Sequence, residues 1–192
     1  MRRGIFGGSF DPPHVGHLGV ARAAAAALDL DIVHLIPAYQ QPFKNQGHVA
    51  NAEQRAEMVR LAVADTERLI LDEREIRRGG ISYTVETLDE LRRTYPADEL
   101  TLLVGADTAA DLPSWYEAER IPELADIVVL TRPGVDIPRQ SGFTRSVDVP
   151  AFDVSATEIR DRAGRGESLT GVVPDPVEAY IVANQLYRQE TK

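Results

Sequence analysis

Short apolar runs and helically spaced apolar positions alternate along this chain. Most of the runs are rich in Val, Ile and Leu, several end at Gly or Pro, and they are typical of buried strands. They occupy residues 3–6, 31–36, 69–71, 99–104, 126–130 and 147–154. Apolar residues three and four apart, or runs of strong helix formers, predict helices at 17–28, 51–63, 85–95, 157–163 and 176–184. This alternation predicts an α/β fold: a Rossmann-like open parallel sheet with helices on both faces.

Two of these helices carry start signals. Asn51 can cap the second helix, with Gln54 at the reciprocal capping position. Asp175 is expected to cap the last helix, with Pro176 at its first position and Glu178 three residues after the cap.

Length and composition fit an ordinary globular protein. The chain has 192 residues, of which 43% are hydrophobic and 27% charged, so it can bury a core. We expect one domain over residues 1–192, with a C-terminal helical part at about 155–192 packed on it. The sequence leaves open whether the chain forms a homo-oligomer.

Charge and cysteine content exclude some classes of protein. The net charge of −9 disfavours nucleic acid and anionic membranes as partners, because both require a positive surface. The absence of cysteine excludes disulfides and thiolate metal sites. No apolar run is long enough for a signal peptide or a bilayer span, so we expect a cytoplasmic protein.

The segment after the first strand combines glycines with two histidines. Open parallel sheets bind ligands beyond the carboxyl ends of their strands, where strand order reverses. Gly7 and Gly8 leave backbone N–H groups open to an anion, and His17 is placed at a helix start that favours phosphate. His14, Gly16 and His17 form the pattern His-x-Gly-His, in which the glycine would let the chain turn so that both imidazoles face one phosphate chain. A glycine-rich turn alone is common, but this one lacks the G-x-G-x-x-G of nicotinamide-dependent dehydrogenases.

A second candidate phosphate site begins the helix at 157–163. Ser155 or Thr157 can cap this helix, and Arg160 lies one turn further on, within reach of the same anion. An ordinary capped helix with a surface arginine explains the same pattern when it is taken alone.

Together the two segments resemble the nucleotidyltransferase superfamily, in its bacterial nicotinate-mononucleotide adenylyltransferase branch. The family's first motif reads G-G-[ST]-F-D-P-x-H-x-G-H. Its defining positions are all present: Gly7, Gly8, Ser9, Phe10, Asp11, Pro12, His14, Gly16 and His17. The segment from Val154 to Arg160 resembles the second motif, Ile-Ser-Ser-Thr-x-[IL]-Arg, with Ala156 at the second serine.

Further segments resemble the acceptor side of the same branch, so the likeness covers nearly the whole chain. They contain Lys44 after the second strand, Tyr83 and Thr84, the pair Gly105 and Asp107, then Trp115 with Tyr116, and Arg132. In the family the tryptophan stacks on the nicotinate ring, and backbone N–H groups near Thr84 and Tyr116 hold its carboxylate. Without the motif, a core tryptophan and a solvated loop lysine are the ordinary interpretations.

The resemblance implies an enzyme that transfers the adenylyl group of ATP to nicotinate mononucleotide in NAD synthesis. It implies catalytic roles for His14, His17, Lys44 and Arg160. It implies ATP or phosphate contacts from Gly7, Gly8, Ser9, Phe10, Gly16, Gly105, Asp107, Arg132, Ser155 and Thr157. Acceptor contacts follow for Tyr83, Thr84, Trp115 and Tyr116. Mg²⁺ is expected with ATP, mostly hydrated, and no protein side chain is expected as a metal ligand.

Three alternatives share parts of this pattern. Phosphopantetheine adenylyltransferases have the first motif but no use for a pyridine-stacking tryptophan. Class I aminoacyl-tRNA synthetases also use His-x-Gly-His, but they need a longer chain and a tRNA-binding surface. A nucleotide sensor without activity would keep ATP binding and show no turnover.

Overall fold

Six parallel strands form one sheet in the computed structural model, which describes residues 1–42, 47–131 and 145–188. The predicted α/β fold with an open parallel sheet is therefore confirmed. The order across the sheet is β3-β2-β1-β4-β5-β6. The strands are β1 Arg2–Gly8, β2 Ile32–Pro37, β3 Leu69–Leu71, β4 Glu99–Gly105, β5 Asp126–Thr131 and β6 Arg145–Asp148.

Eight α-helices accompany the strands in the described residues. They are α1 Val15–Ala27, α2 Ala52–Val63, α3 Arg74–Arg78, α4 Thr84–Thr94, α5 Ala106–Asp111, α6 Ile121–Leu124, α7 Ala156–Gly164 and α8 Asp175–Ala183. Two short 3-10 helices, Leu112–Ser114 and Ala118–Arg120, lie between α5 and α6. The cap predicted for α2 is present, since Asn51 Oδ1 accepts from the Gln54 N–H and Gln54 Oε1 accepts from the Asn51 N–H.

Apolar side chains are buried on both faces of the sheet. One core contains residues of α1, α2, α7 and α8, and β4 and β5 contribute Leu103 and Val128 to it. The other core contains residues of α4, α5 and α6, to which the same strands contribute Leu102 and Ile127. Neighbouring residues of one strand thus point to opposite faces, as the period of two in a strand requires.

The end of β6 and the start of α8 are among the boundaries that differ from the sequence prediction. Strand β6 ends at Asp148 instead of continuing to residue 154, because Pro150 follows closely and cannot donate a ladder hydrogen bond. Helix α8 begins at Asp175, and Pro174 occupies the cap position without a side-chain hydrogen bond, so the predicted cap by Asp175 is wrong. The Glu178 carboxylate instead accepts from the Leu169 N–H at 2.7 Å, which ties α8 to the preceding loop.

The sheet order places the predicted ligand-binding edge. Strand β1 lies between β2 and β4, so the chain order reverses beside it. In such sheets a crevice opens beyond the carboxyl ends of the central strands. Those ends are Gly7 and Gly8 at the end of β1 and Gly105 at the end of β4. No helix in the described part of the chain is long and apolar enough to cross a membrane.

Candidate active site

The two histidines of the first motif cap helix α1 together. His17 N–H donates to His14 Nδ1 at 3.4 Å, and His14 N–H donates to His17 Nδ1 at 3.2 Å. The two rings stack with centroids 3.6 Å apart and planes 25° from parallel. The helix therefore begins at Val15, two residues before the predicted start, because histidine side chains supply its capping box.

This arrangement fixes the protonation state of both imidazoles. Burial lowers the pKa of His14 to about 4, and burial together with the positive charge of a protonated His14 lowers the pKa of His17 to about 3. Both rings are neutral near pH 7. Because each Nδ1 accepts a backbone hydrogen, the ring proton lies on Nε2. Each histidine thus has one N–H donor left for a ligand.

The rings of two phenylalanines pack against the histidine pair. The Phe10 ring packs edge-on against His17 with centroids 5.0 Å apart, and the Phe6 ring lies 6.4 Å from His17. Phe10 is only 1% exposed and has a left-handed φ of 47°. A ligand contact from Phe10 would therefore involve its backbone, while its ring holds the imidazole in place.

Gly16 is required for space and not for a turn. It is the second residue of α1 and has no positive φ, which differs from the tight turn expected from the sequence. A Cβ at this position would lie 2.8 Å from Val154 Cγ1 and 3.0 Å from His14 Nδ1. The absent side chain lets the segment before α7 approach the histidine pair closely.

A cavity of about 400 Å³ opens at the crevice between β1 and β4; we call it the nucleotide cavity, after the ATP contacts that the sequence predicts for several of its residues. Residues from both sides of the sheet's reversal point line it, among them His14, His17, Gly105, Asp107, Phe152 and Val154. Five predicted site residues from two separate motifs are thus brought together: His14, Gly16 and His17 with Gly105 and Asp107. The volume lies within the usual range for small-molecule sites.

Helix α7 brings the second predicted motif to the first. Ser155 Oγ accepts from the Glu158 N–H at 3.2 Å, so Ser155, and not Thr157, caps this helix. Arg160 donates to Thr157 Oγ1 at 3.1 Å and to the Asp11 carbonyl at 2.8 Å. The guanidinium therefore lies against the first motif although it is 149 residues away in the chain.

Asp11 joins the first motif to two distant segments. Its carboxylate accepts from the Val49 N–H at 2.7 Å, the Ala50 N–H at 3.2 Å and the Tyr187 hydroxyl at 2.8 Å. Burial is the main cause that raises the pKa of Tyr187, so its phenol stays protonated and can donate. With three donors on its two oxygens, the Asp11 carboxylate joins these segments and has little capacity left for a further ligand.

Arg55 is a functional candidate that the sequence analysis missed. It is 1% exposed and donates to the carbonyls of Ala50, Ser9 and Tyr39 at 3.2, 2.9 and 3.1 Å. The sequence pattern did indicate an unusual residue here, because Arg55 lies on the face of α2 that carries Ala52, Ala56 and Val59 at helical spacing. A charged residue in an apolar stripe needs partners, and here they are backbone carbonyls.

The predicted acceptor residues form a second group, which we call the acceptor cluster: Tyr83, Thr84, Trp115 and Tyr116. Tyr83 precedes α4, its ring centroid lies 4.5 Å from that of Tyr116, and Thr84 is the first residue of the helix. The first N–H groups of α4 have no acceptor within the helix and can bind an anion. Trp115 is half-buried against the apolar core of the α4 face, and Tyr116 is 50% exposed.

For the remaining predicted residues, the structure gives little or no geometry that bears on ligand binding. Gly7 is exposed with open space around its Cα, Gly8 is half-buried beside Phe10, and the Ser9 carbonyl accepts from Arg55. Lys44 and Arg132 lie outside the described residues. Within the part of the chain that the structure describes, no group of three His, Asp or Glu side chains could hold a metal ion.

A family model described as cytidylyltransferase-like matches residues 5–162, which include both phosphate motifs. This chain belongs to the cytidylyltransferase-like family. A probable nicotinate-nucleotide adenylyltransferase of Gemmatimonas aurantiaca is 43% identical, over 98% of this chain and 93% of that protein. One of the same name from Thermus thermophilus is 45% identical, over 98% of this chain and all of its own. The predicted membership of the nicotinate branch is confirmed.

Solved structures share the fold at low sequence identity. A Plasmodium falciparum nicotinic acid mononucleotide adenylyltransferase complexed with NaAD matches with a TM-score of 0.79 at 17% identity. The match covers 97% of each chain. The arrangement of strands and helices is thus that of a nucleotidyltransferase along nearly the whole chain.

Proposed function

We propose that this chain transfers the adenylyl group of ATP to nicotinate mononucleotide, giving deamido-NAD and pyrophosphate in NAD synthesis. The observation that carries the proposal is the pair of stacked, neutral imidazoles in the nucleotide cavity, each with one ring N–H free of the helix cap. The names of the full-length relatives support the choice of acceptor.

In this reaction the acceptor brings its own nucleophile. The phosphate of nicotinate mononucleotide is a monoester and is largely dianionic at neutral pH. One of its oxygens forms a bond to the α-phosphorus of ATP, and the bond from that phosphorus to the bridging oxygen of pyrophosphate breaks in line. No proton has to be removed, so the protein contributes alignment and charge stabilisation.

The proposed roles follow from the positions of the donors. His14 and His17 donate Nε2–H groups to oxygens of the transferring phosphoryl group, and Lys44 and Arg160 bind the triphosphate. Backbone and side-chain groups of Gly7, Gly8, Ser9, Phe10, Gly16, Gly105, Asp107, Arg132, Ser155 and Thr157 are proposed to bind the rest of ATP. Neutral imidazoles suit this task, because their hydrogen-bond geometry is set before the substrate arrives.

Trp115 is proposed to stack on the pyridine ring, with Tyr83 and Tyr116 beside it. The ring carboxylate would accept N–H groups at the start of α4, near Thr84, and near Tyr116. A carboxamide has less negative charge to offer these donors, so nicotinamide mononucleotide should be the poorer acceptor.

Mg²⁺ is proposed to arrive with ATP. The donor set fits an ion bound mainly by phosphate oxygens and water, since the Asp11 carboxylate is occupied by three donors. The ion would neutralise phosphate charge. Nucleic acid is not proposed as a partner of a chain with a net charge of −9; a homo-oligomer and a cytoplasmic location stay predictions.

A coupled pyrophosphate assay tests the proposal. With ATP and Mg²⁺, pyrophosphate release should require nicotinate mononucleotide, and kcat/KM should be about tenfold or more lower with nicotinamide mononucleotide. Faster release with phosphopantetheine, or ATP binding without turnover on any acceptor, would contradict it. Each of those results corresponds to one of the alternatives considered from the sequence.

A further inference from the structure

Arg55 connects three separate segments near the carboxyl ends of β1 and β2. Its Nη1 donates to the Ser9 carbonyl in the turn after β1, and its Nη2 donates to the Tyr39 carbonyl after β2. Its Nε donates to the Ala50 carbonyl just before α2. One planar guanidinium therefore sets the spacing between two loops that both leave the ligand-binding edge of the sheet.

Stability alone does not explain a charge at this position. Arg55 is 1% exposed, and among the described residues no carboxylate oxygen lies within 4.0 Å of its guanidinium. Burial lowers the pKa of Arg55, and the charge of the Asp11 carboxylate offsets only part of that cost, so a well-packed apolar side chain often stabilises such a site better. Hydrogen bonds to carbonyls of three segments offset part of this cost. In return, the guanidinium fixes the positions of these segments relative to one another.

The backbone of Tyr39 continues this connection to the acceptor cluster. The Tyr39 carbonyl accepts from Arg55, while its N–H donates to Ser82 Oγ at 2.9 Å. The Ser82 N–H donates to the Gln40 carbonyl at 2.9 Å. Ser82 directly precedes Tyr83, the cap residue of α4. Hydrogen bonds, joined through the backbone of Tyr39 and Ser82, thus connect the turn at Ser9 to the start of the acceptor cluster.

We propose that Arg55 is a positioning residue that sets the distance between the ATP-binding turn at Ser9 and the acceptor cluster. The inference rests on the proposed function. Arg55 itself contacts neither substrate. It aligns the two halves of the site so that the acceptor phosphate approaches the α-phosphorus in line. A displacement of about 1 Å between such reacting groups can lower the rate by about a hundredfold.

The test compares Arg55→Met with Arg3→Met, a matched control. Arg3 is also a buried arginine, 8% exposed, but it lies near the amino end of β1, where it pairs with Asp98 at 2.6 Å and stacks on Tyr95. Both substitutions replace a buried guanidinium by an unbranched apolar side chain, and the melting temperature of each variant is measured first. Steady-state kinetics are measured well below both melting temperatures, with the folded fraction determined by circular dichroism.

We expect Arg55→Met to lower kcat about 10- to 100-fold while KM for each substrate changes less than about threefold. Arg3→Met should keep kcat within about twofold of the original chain. Equal loss of kcat in the two variants, or an unchanged kcat in Arg55→Met, would overturn the inference. If Arg55→Met does not fold, Arg55→Lys is compared with Arg3→Lys in the same way. A single ammonium cannot span three carbonyls, so Arg55→Lys should still lose at least about fivefold in kcat.

The assay of the unsubstituted chain separates this inference from the proposed function. Absence of turnover with ATP and nicotinate mononucleotide in that chain contradicts the proposed function itself. Normal turnover there, combined with normal kcat in Arg55→Met, contradicts only the role of Arg55.

Discussion

At the scale of single residues, the histidine pair does two tasks with two different ring nitrogens. Each Nδ1 accepts a backbone hydrogen at the start of α1, and each Nε2 carries the proton that a phosphate oxygen can accept. Substitutions can therefore separate the structural role from the proposed catalytic one, because asparagine can replace the Nδ1 acceptor without replacing the Nε2 donor.

We expect His17→Asn and His17→Ala to lower kcat to a similar extent, about 10²- to 10³-fold, because both remove one donor to a charged transition state. Only His17→Ala also removes the capping acceptor, so it should unfold about 1 kcal/mol more easily than His17→Asn. Pyrophosphate assays and urea unfolding measure the two effects. Near-normal turnover in either variant would place His17 outside the transition-state contacts.

The lowered pKa values predict a specific loss of stability in acid. In the unfolded chain a histidine titrates near 6.5, whereas His14 and His17 in the folded chain titrate near 4 and 3. Below pH 6.5 the unfolded state binds more protons, so the free energy of unfolding falls as the pH falls towards 4. Between pH 7 and pH 5 the loss should be about 2 kcal/mol for each histidine.

Urea unfolding at several pH values checks this expectation. A chain with both His14→Asn and His17→Asn should show a shallower pH dependence, since the other titrating groups are the same. Identical pH slopes for the two chains would show that the imidazoles are not buried in their neutral form.

At the scale of elements, the sequence predicted the strands and the long helices, but it did not predict the contacts between distant segments. The strands and the long helices have clear hydrophobic periods, and the cap of α2 has its sequence signature at Asn51 and Gln54. The short helices α3, α5 and α6 were not predicted, because four to six residues are too few to show a helical period. Residue types identified the histidine pair, but the three-carbonyl contact of Arg55 depends on loops that meet only in the fold.

The packing of α1 against the segment before α7 gives an element-scale prediction. A Cβ on Gly19 would lie 2.0 Å from Phe152 Cζ, so Gly19→Ala must displace a ring that lines the nucleotide cavity. Alanine favours a helix over glycine by about 1 kcal/mol, so the displacement need not unfold the chain. We expect KM for ATP to rise about tenfold, with a change of only a few degrees in melting temperature.

A double-substitution cycle with Phe152→Ala isolates this contact. Once the ring has been removed, Gly19→Ala should leave KM unchanged and raise the melting temperature through helix propensity alone. An equal rise in KM in both backgrounds would show that Phe152 does not mediate the effect.

At the scale of the whole molecule, the C-terminal part completes the ligand-binding edge. Sheet order alone brings the ends of β1 and β4 together. Arg160 and Tyr187 then bond to Asp11 from 149 and 176 residues away. Arg160 belongs to a motif that the sequence indicated, whereas nothing in the sequence indicated that Tyr187 would contact Asp11. Asp11 and Tyr187 have no periodicity in common, and only the packing of the chain after α8 brings them together.

The contact between Tyr187 and Asp11 gives the prediction at this scale. Tyr187→Phe leaves the buried carboxylate one donor short, so the free energy of unfolding should fall by about 1–2 kcal/mol. Tyr180→Phe is the matched control on α8, because the Tyr180 hydroxyl has no hydrogen bond to a described residue, and it should change stability by less than about 0.5 kcal/mol. Urea unfolding of the two variants measures the difference. Since Asp11 keeps its two backbone donors, kcat of Tyr187→Phe should stay within about threefold of the original chain. An equal loss of unfolding free energy in the two variants would show that the Tyr187 hydroxyl contributes nothing to stability.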